Sequence, residues 1–468
     1  MPSRLPPPVP PAGPGGRVVV VGAGLAGLRT VAALRERGFD GQVHVLGGEP
    51  WAPYDRPPLS KHLLDRPEPA WLADELGHDL HALADRVDTG RAARGLLVDP
   101  DGGVVVRTDA GDAPADALVV ATGSVAVRPP GWESALTLHT LDDARRLREA
   151  LGRGGPLVVV GAGWIGAEVA GVAAAAGLEV TVIEAGAAPA AALGPVVGPW
   201  TAPWYAAAGV RLLLGSPVVA VHAGGVDLAD GSTVAGATVL VAVGARPATA
   251  WIGDALPRTP RGELPVDAHH RVVVGGVLPG DGRAPGGDTP GRQAARGAPA
   301  VWAVGDVALR RSARHGLVPG GHWDAALRGP DVAAAAVLAH LTGDDDAHPP
   351  AEAPDPVPYV FSTQLGHELA LLGQPGPTDR VVPRGDPAGA DGWTALYVAA
   401  DASPGAPGPG TSGVLTGVLT GVLTGVLTVD RPRDVAAARR LLGGRGLPTV
   451  DLAAAADPGR PLRDALLA

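Results

Sequence analysis

The stretch "RVVVVGAGLAGLRTVAALRERG", residues 17–38, decides the fold. Val18 to Val21 make an unbroken apolar run of the kind that lies buried on both faces of a parallel sheet. Gly22, Gly24 and Gly27 follow at GxGxxG spacing, with Leu25 and Ala26 between them, and apolar residues then recur at helical period until Gly38. "QVHVLGGE" reads as a second strand ending at Glu49. Glycines let a backbone close on a pyrophosphate, a helix N-terminus attracts its charge, and the acid accepts a ribose hydroxyl. Strand, turn, helix, strand and acid in register predict a dinucleotide site.

The same pattern returns at "PLVVVGAGWIGAEVAGVAAAAGLEVTVIEAG". A strand over 157–160 leads into Gly161, Gly163 and Gly166, with Trp164 and Ile165 between the last two. A helix is predicted to about Ala176, and a strand to Glu184. Two fingerprints imply two nucleotides on two Rossmann-like domains, and the economical chemistry for such a pair is hydride transfer between a nicotinamide and a flavin. "ALVVATGS" (117–124), "TVLVAVGARP" (238–247) and "AVWAVGDVA" (300–308) read as further strands running into small-residue turns. The last ends in Gly305-Asp306, and an aspartate at the carboxyl end of such a strand lies where ligands bind.

Composition narrows the chemistry. The chain has 468 residues, enough for two or three domains. Its net charge of −10 argues against a nucleic-acid-binding surface. Cysteine is absent, which excludes disulfides, thiolate nucleophiles and cysteine-held clusters or zinc in this chain; no metal site is expected. Residues 1–16 are proline-rich, without the apolar segment of a secretory signal, and read as a disordered tail. The apolar runs are broken well short of about 20 residues, so no membrane span is expected, and the protein reads as soluble and cytoplasmic. Lys61, in "YDRPPLSKHLL" (54–64), is the only lysine.

These pieces together resemble a known family, the FAD-dependent NAD(P)H:ferredoxin reductases of bacterial oxygenase systems. The resemblance rests on "VVGAGLAG", "GGEPWAPYDRPPLSK", "VVATGS", "VVVGAGWIGAEVA", "VAVGARP", "WAVGDVA", "GHWDAALRG" and "VDRPRDVAAARRLL", in the family's order over residues 17–468. It implies two Rossmann-like domains of the flavin disulfide-reductase type, for FAD and NAD, plus a C-terminal α+β reductase domain. It implies FAD and NADH as cofactors and, as partner, an iron–sulfur ferredoxin that serves a cytochrome P450 or a Rieske oxygenase. Related disulfide reductases need a cysteine pair, and related peroxidases a reactive cysteine; this chain can run neither mechanism.

Residue by residue, the resemblance implies that Lys61 lies beside the reactive edge of the flavin and pairs with Glu168, a carboxylate of the second fingerprint helix. A cation there favours the anionic reduced flavin, and Pro57 and Pro58 fix the turn that aims it. Arg56, Thr122, Gly123, Arg128 and Gly244 are implied cofactor contacts. Trp323 matches the position at the pyrimidine end of the flavin, ahead of a helix N-terminus; Pro330 is expected to kink or restart that helix. Glu184 is expected to accept the adenosine-ribose hydroxyls of NADH. "PYVFSTQLGHELALLG" departs from the family pattern, with Thr363 in place of an acid.

The expected organisation begins with a tail (1–16). An FAD domain in two segments (17–124 and 246–340, the latter with a flexible insertion at 275–297) encloses an NAD domain (125–245), and a C-terminal domain (350–468) follows. The "GVLT" tract (413–428) reads as one or two strands open to register slips. A monomer or weak dimer is expected. The rival readings are an apoptosis-inducing-factor-like or rubredoxin- or quinone-reducing NADH oxidoreductase, and a nucleotide-binding redox sensor.

Overall fold

The structure is a computed structural model that describes residues 15–99, 103–274, 299–343, 354–400 and 420–467. The 275–297 insertion, residues 413–419 of the repeat tract and all but two residues of the expected tail lie outside them. The chain forms two compact units. One comprises residues 1–55, 70–125 and 246–355, the other residues 56–69, 126–245 and 356–468.

In the first unit the valine run becomes the strand Arg17–Val21. It is the centre of a five-stranded parallel sheet in the order Val301–Ala303, Ala117–Val120, Arg17–Val21, Gln42–Leu46, Arg86–Asp88. Strand alternation divides the valines between two cores. Val18 and Val20 pack with the helices Leu25–Glu36 and Trp323–Leu341. Val19 and Val21 pack with Leu96 and Val106 of an antiparallel three-stranded sheet. The chain leaves the central strand to opposite sides, so the crevice at its carboxyl end is a topological switch point. Gly22 sits there.

The second unit repeats this with a parallel sheet in the order Arg211–Leu213, Val180–Ile183, Leu157–Val160, Thr238–Val241. Its switch point falls beside Gly161. The same unit holds an antiparallel sheet in the order Tyr359–Gln364, His367–Gly373, Thr420–Val429, Trp393–Val398, Arg380–Arg384. The described part of the "GVLT" tract thus lies in a single ten-residue central strand, Thr420–Val429. One face packs on the helix Pro432–Leu442 through Leu372, Leu396 and Leu442. The other meets Val197 and Trp204 of the helix Gly194–Ala207 through Trp393 and Leu427. The "DRPRD" segment starts that first helix: Pro432 is preset for its first turn, and the buried Asp434 ion-pairs with the fully buried Arg384 at 3.2 Å.

Candidate functional site

The first fingerprint builds a cradle from three glycines with different duties. Gly22 has φ of +119°, and a Cβ there would lie 2.0 Å from the Ala121 carbonyl oxygen. A Cβ on Gly27 would lie 1.9 Å from the Gly22 carbonyl, so helix and strand pack backbone to backbone. At Gly24 a Cβ would meet nothing within 4 Å. That open space faces the start of the helix Leu25–Glu36, which has no side-chain cap and no acid in its first turn. Uncapped N–H groups beside clear space fit a pyrophosphate.

Around this crevice the structure places the other residues named from sequence. The strand Gln42–Leu46 stops three residues before Glu49, because Gly47 and Gly48 turn the chain; Glu49 then accepts a 2.6 Å hydrogen bond from Tyr54 Oη. Thr122 Oγ1 donates to the Ala248 carbonyl at 2.9 Å, and Gly123 has φ of +67°. Asp306 follows the strand Val301–Ala303 in a 3-10 turn and accepts from Ser124 Oγ at 2.7 Å. Trp323 opens the helix Trp323–Leu341, and its Nε1 donates to Asp55 Oδ1 at 2.8 Å. That helix runs unbroken through Pro330, contrary to the expected restart.

The second fingerprint has the same build. Gly161 has φ of +106°, and a Cβ there would lie 2.5 Å from the Ala242 carbonyl. One on Gly166 would lie 2.1 Å from the Gly161 carbonyl, and one on Gly163 would meet nothing. The helix Trp164–Ala175 is again uncapped and free of first-turn acid. Trp164, like Trp200, packs against a buried cluster containing Trp204 and Trp393, while Ile165 is exposed. Glu184 follows the strand Val180–Ile183 directly and accepts from the backbone N–H groups of Ala162 (2.9 Å) and Gly186 (2.8 Å). The carboxylate is thereby aimed at the glycine loop. Gly244, with φ of +116°, also leaves open space. Arg128 is turned to Thr137 Oγ1 at 3.1 Å, and Arg56 donates to the His139 carbonyl at 2.5 Å.

Lys61 and Glu168 form an ion pair. Lys61 ends a four-residue helix, Pro58–Lys61, that starts with Pro57 as its N-cap, so the prolines build a helical turn rather than a loop. Glu168, only 5% exposed, also accepts from Ser60 Oγ and Ser362 Oγ, both at 2.5 Å. The ammonium lies 5.4 Å from the Phe361 ring centroid, a cation–π contact. Sequence motifs alone pointed to neither serine, nor to Asp55 or Ser124. One signal was present: in "YVFSTQ", strand alternation puts Ser362 and Gln364 on the same face, and two polar residues on a buried face call for a partner.

Residues 16–281 match the pyridine nucleotide-disulphide oxidoreductase family. The chain is 32% identical over 464 residues to the chlorobenzene dioxygenase ferredoxin reductase component of Cupriavidus sp. (strain PS12), covering 96% of this chain and 97% of that protein. It is 33% identical to the anthranilate 1,2-dioxygenase system ferredoxin–NAD(+) reductase component of Burkholderia cepacia, covering 92% and 95%. Among solved structures, the ferredoxin reductase for the CYP199A2 system from Rhodopseudomonas palustris superposes with a TM-score of 0.76 at 26% identity, over 97% of this chain and 100% of that one. Among the described residues, no helix is long and apolar enough to cross a membrane.

Proposed function

The chain belongs to the pyridine nucleotide-disulphide oxidoreductase family, and on that premise we propose that it is an NADH:ferredoxin reductase serving an oxygenase. It carries electrons from NADH, through bound FAD, to an iron–sulfur ferredoxin that feeds a Rieske dioxygenase or a cytochrome P450. The observation that carries this reading is a pair of open glycine cradles in a chain without a single cysteine. Such a chain has no thiol to take the electrons, so they leave through an external acceptor.

FAD, when bound, supplies the acceptance of a hydride from NADH and the return of the two electrons one at a time. This chain's residues bind and orient. Gly22, Gly24 and Gly27 would hold the FAD pyrophosphate against the helix Leu25–Glu36, Glu49 would take the adenosine ribose, and Asp306, steadied by Ser124, would take a hydroxyl of the flavin side chain. Trp323, held by Asp55, would flank the ring. Gly161, Gly163 and Gly166 hold the NADH pyrophosphate, and Glu184 its adenosine ribose. Lys61, fixed by Glu168, would supply positive charge to the flavin. No side chain acts as nucleophile. The reading places the protein in the cytoplasm, where NADH is replenished.

The test starts from purified protein. It should hold about one FAD per chain without iron, bleach when mixed with NADH, and reduce cytochrome c faster when an oxygenase-type [2Fe–2S] ferredoxin is added. Fast bleaching without ferredoxin stimulation would move the acceptor to a quinone or rubredoxin. Slow bleaching would favour a sensor.

A further inference from the structure

We propose that Ser362, backed by Gln364, is a positioning residue that sets Lys61 through Glu168. The inference rests on the reductase reading above and deepens it. Glu168 accepts three hydrogen bonds from two parts of the chain far apart in sequence. Ser60 holds Oε2, while Ser362 and Lys61 share Oε1. Ser362 and Gln364 are 1% and 2% exposed, so neither has water as an alternative partner.

The direction of each bond is fixed. A hydroxyl has one proton. Gln364 Nε2 donates to Ser362 Oγ at 3.1 Å, so the serine accepts from the amide and its own proton points to Glu168. The torsion that turns a glutamate carboxylate is broad and weakly restrained by itself. Here both oxygens are held, one by the Pro58–Lys61 helix and one by the strand Tyr359–Gln364. Lys61 has four rotatable bonds and lies on the last residue of a four-residue helix. Its aim therefore depends on a fixed carboxylate and on the face of the Phe361 ring. Phe361 and Ser362 are neighbours on one strand, so that strand holds the ammonium directly on one side and through Glu168 on the other.

Lys61 is the only lysine in the chain, which gives the test a readout independent of turnover. Protein grown with 13Cε,15Nζ-lysine shows one lysine side-chain NMR signal. In the FAD-loaded protein, Ser362→Ala should move that signal. It should also slow the first-order reduction of flavin by NADH about tenfold, leaving FAD content and NADH affinity unchanged. Ser362→Thr, which keeps the hydroxyl, should restore both. In a Glu168→Gln background, Ser362→Ala should add little, because the two act through one carboxylate. If Ser362→Ala fails to fold, Gln364→Leu removes the donor that fixes the serine hydroxyl's orientation and should move the signal the same way by less. An unmoved lysine signal and an unchanged rate would overturn the proposal, as would an equal slowing in the wild-type and Glu168→Gln backgrounds. A wild-type protein that NADH does not reduce would instead sink the reductase reading, while the lysine signal would still report whether Ser362 holds Lys61.

Discussion

At the scale of single residues, the choice between NADH and NADPH turns on Glu184. Its two oxygens are tied to the Ala162 and Gly186 N–H groups, so the carboxylate cannot swing away from a ligand on the glycine loop. A 2′-phosphate would set negative charge against it, and Ala185, Gly186, Ala187 and Ala188 offer no cation. Such a mismatch is worth on the order of 2–4 kcal/mol, or roughly 30- to 1,000-fold. Wild type should therefore favour NADH in kcat/KM by a factor in that range. Glu184→Ala should narrow the gap by raising KM for NADH, with FAD content unchanged. Equal use of both nucleotides by the wild type would mean that a basic residue such as Arg211 reaches the phosphate.

At the scale of elements, the "DRPRD" helix is tied down by a buried ion pair. Asp434 accepts from Arg384 Nε (3.2 Å), Arg431 Nε (3.2 Å) and Thr394 Oγ1 (3.0 Å). Arg384 spends its other donors on the carbonyls of Ala455, Asp457 and Arg460. One side chain thus links the edge strand Arg380–Arg384 to the helix and to the C-terminal turns. Removing the carboxylate leaves a buried guanidinium without counter-charge, which costs about 3–5 kcal/mol. Asp434→Ala should lower the unfolding free energy measured in urea accordingly, whereas an exposed-pair control such as Arg153→Ala should change it by less than about 1 kcal/mol. Equal effects would show that water reaches Arg384. The "DRPRD" segment thus has a structural duty in this sheet-and-helix layer.

At the scale of the whole molecule, stability should fall with acid before the carboxylates titrate. His270 is 6% exposed, and its Nδ1 donates at 3.0 Å to the carbonyl of Ala303, in the edge strand of the first unit's parallel sheet. Burial pulls its pKa down to about 4. The unfolded chain's histidine takes up a proton near pH 6.5 and the folded one does not. His270's contribution is therefore complete above about 6.5 and is lost as pH falls toward about 4, by roughly 3 kcal/mol at most. His315, pulled down to about 4 by burial and by Arg314, acts in the same direction. Unfolding free energy measured in urea from pH 7 to 4.5 should drop in the wild type. The drop should be shallower by up to about 1.4 kcal/mol per pH unit in His270→Asn, asparagine being tolerated at the φ of +64° found there. Identical slopes would mean that the imidazole is solvated.

The sequence by itself determined what is local. Glycine spacing dictated the two cradles, because a Cβ at Gly22, Gly27, Gly161 or Gly166 would overlap backbone. Buried valine runs dictated the strands of two parallel sheets, and the missing cysteines dictated what chemistry the chain cannot perform. Family likeness supplied the partnership of Lys61 with Glu168, which the structure pairs. Only the tertiary structure decided which side chains converge. Ser60 and Ser362 reach Glu168 across 108 and 194 residues, and Trp323 reaches Asp55 across 268. It also decided that residues 56–69 leave the first unit and join the second, and that Glu49 stands beyond its strand rather than at its end. Periodicity reports which face of an element is buried, but not what it is buried against. A hydrogen bond between distant segments leaves no trace in either segment's local pattern, beyond a polar residue on a face that should be apolar.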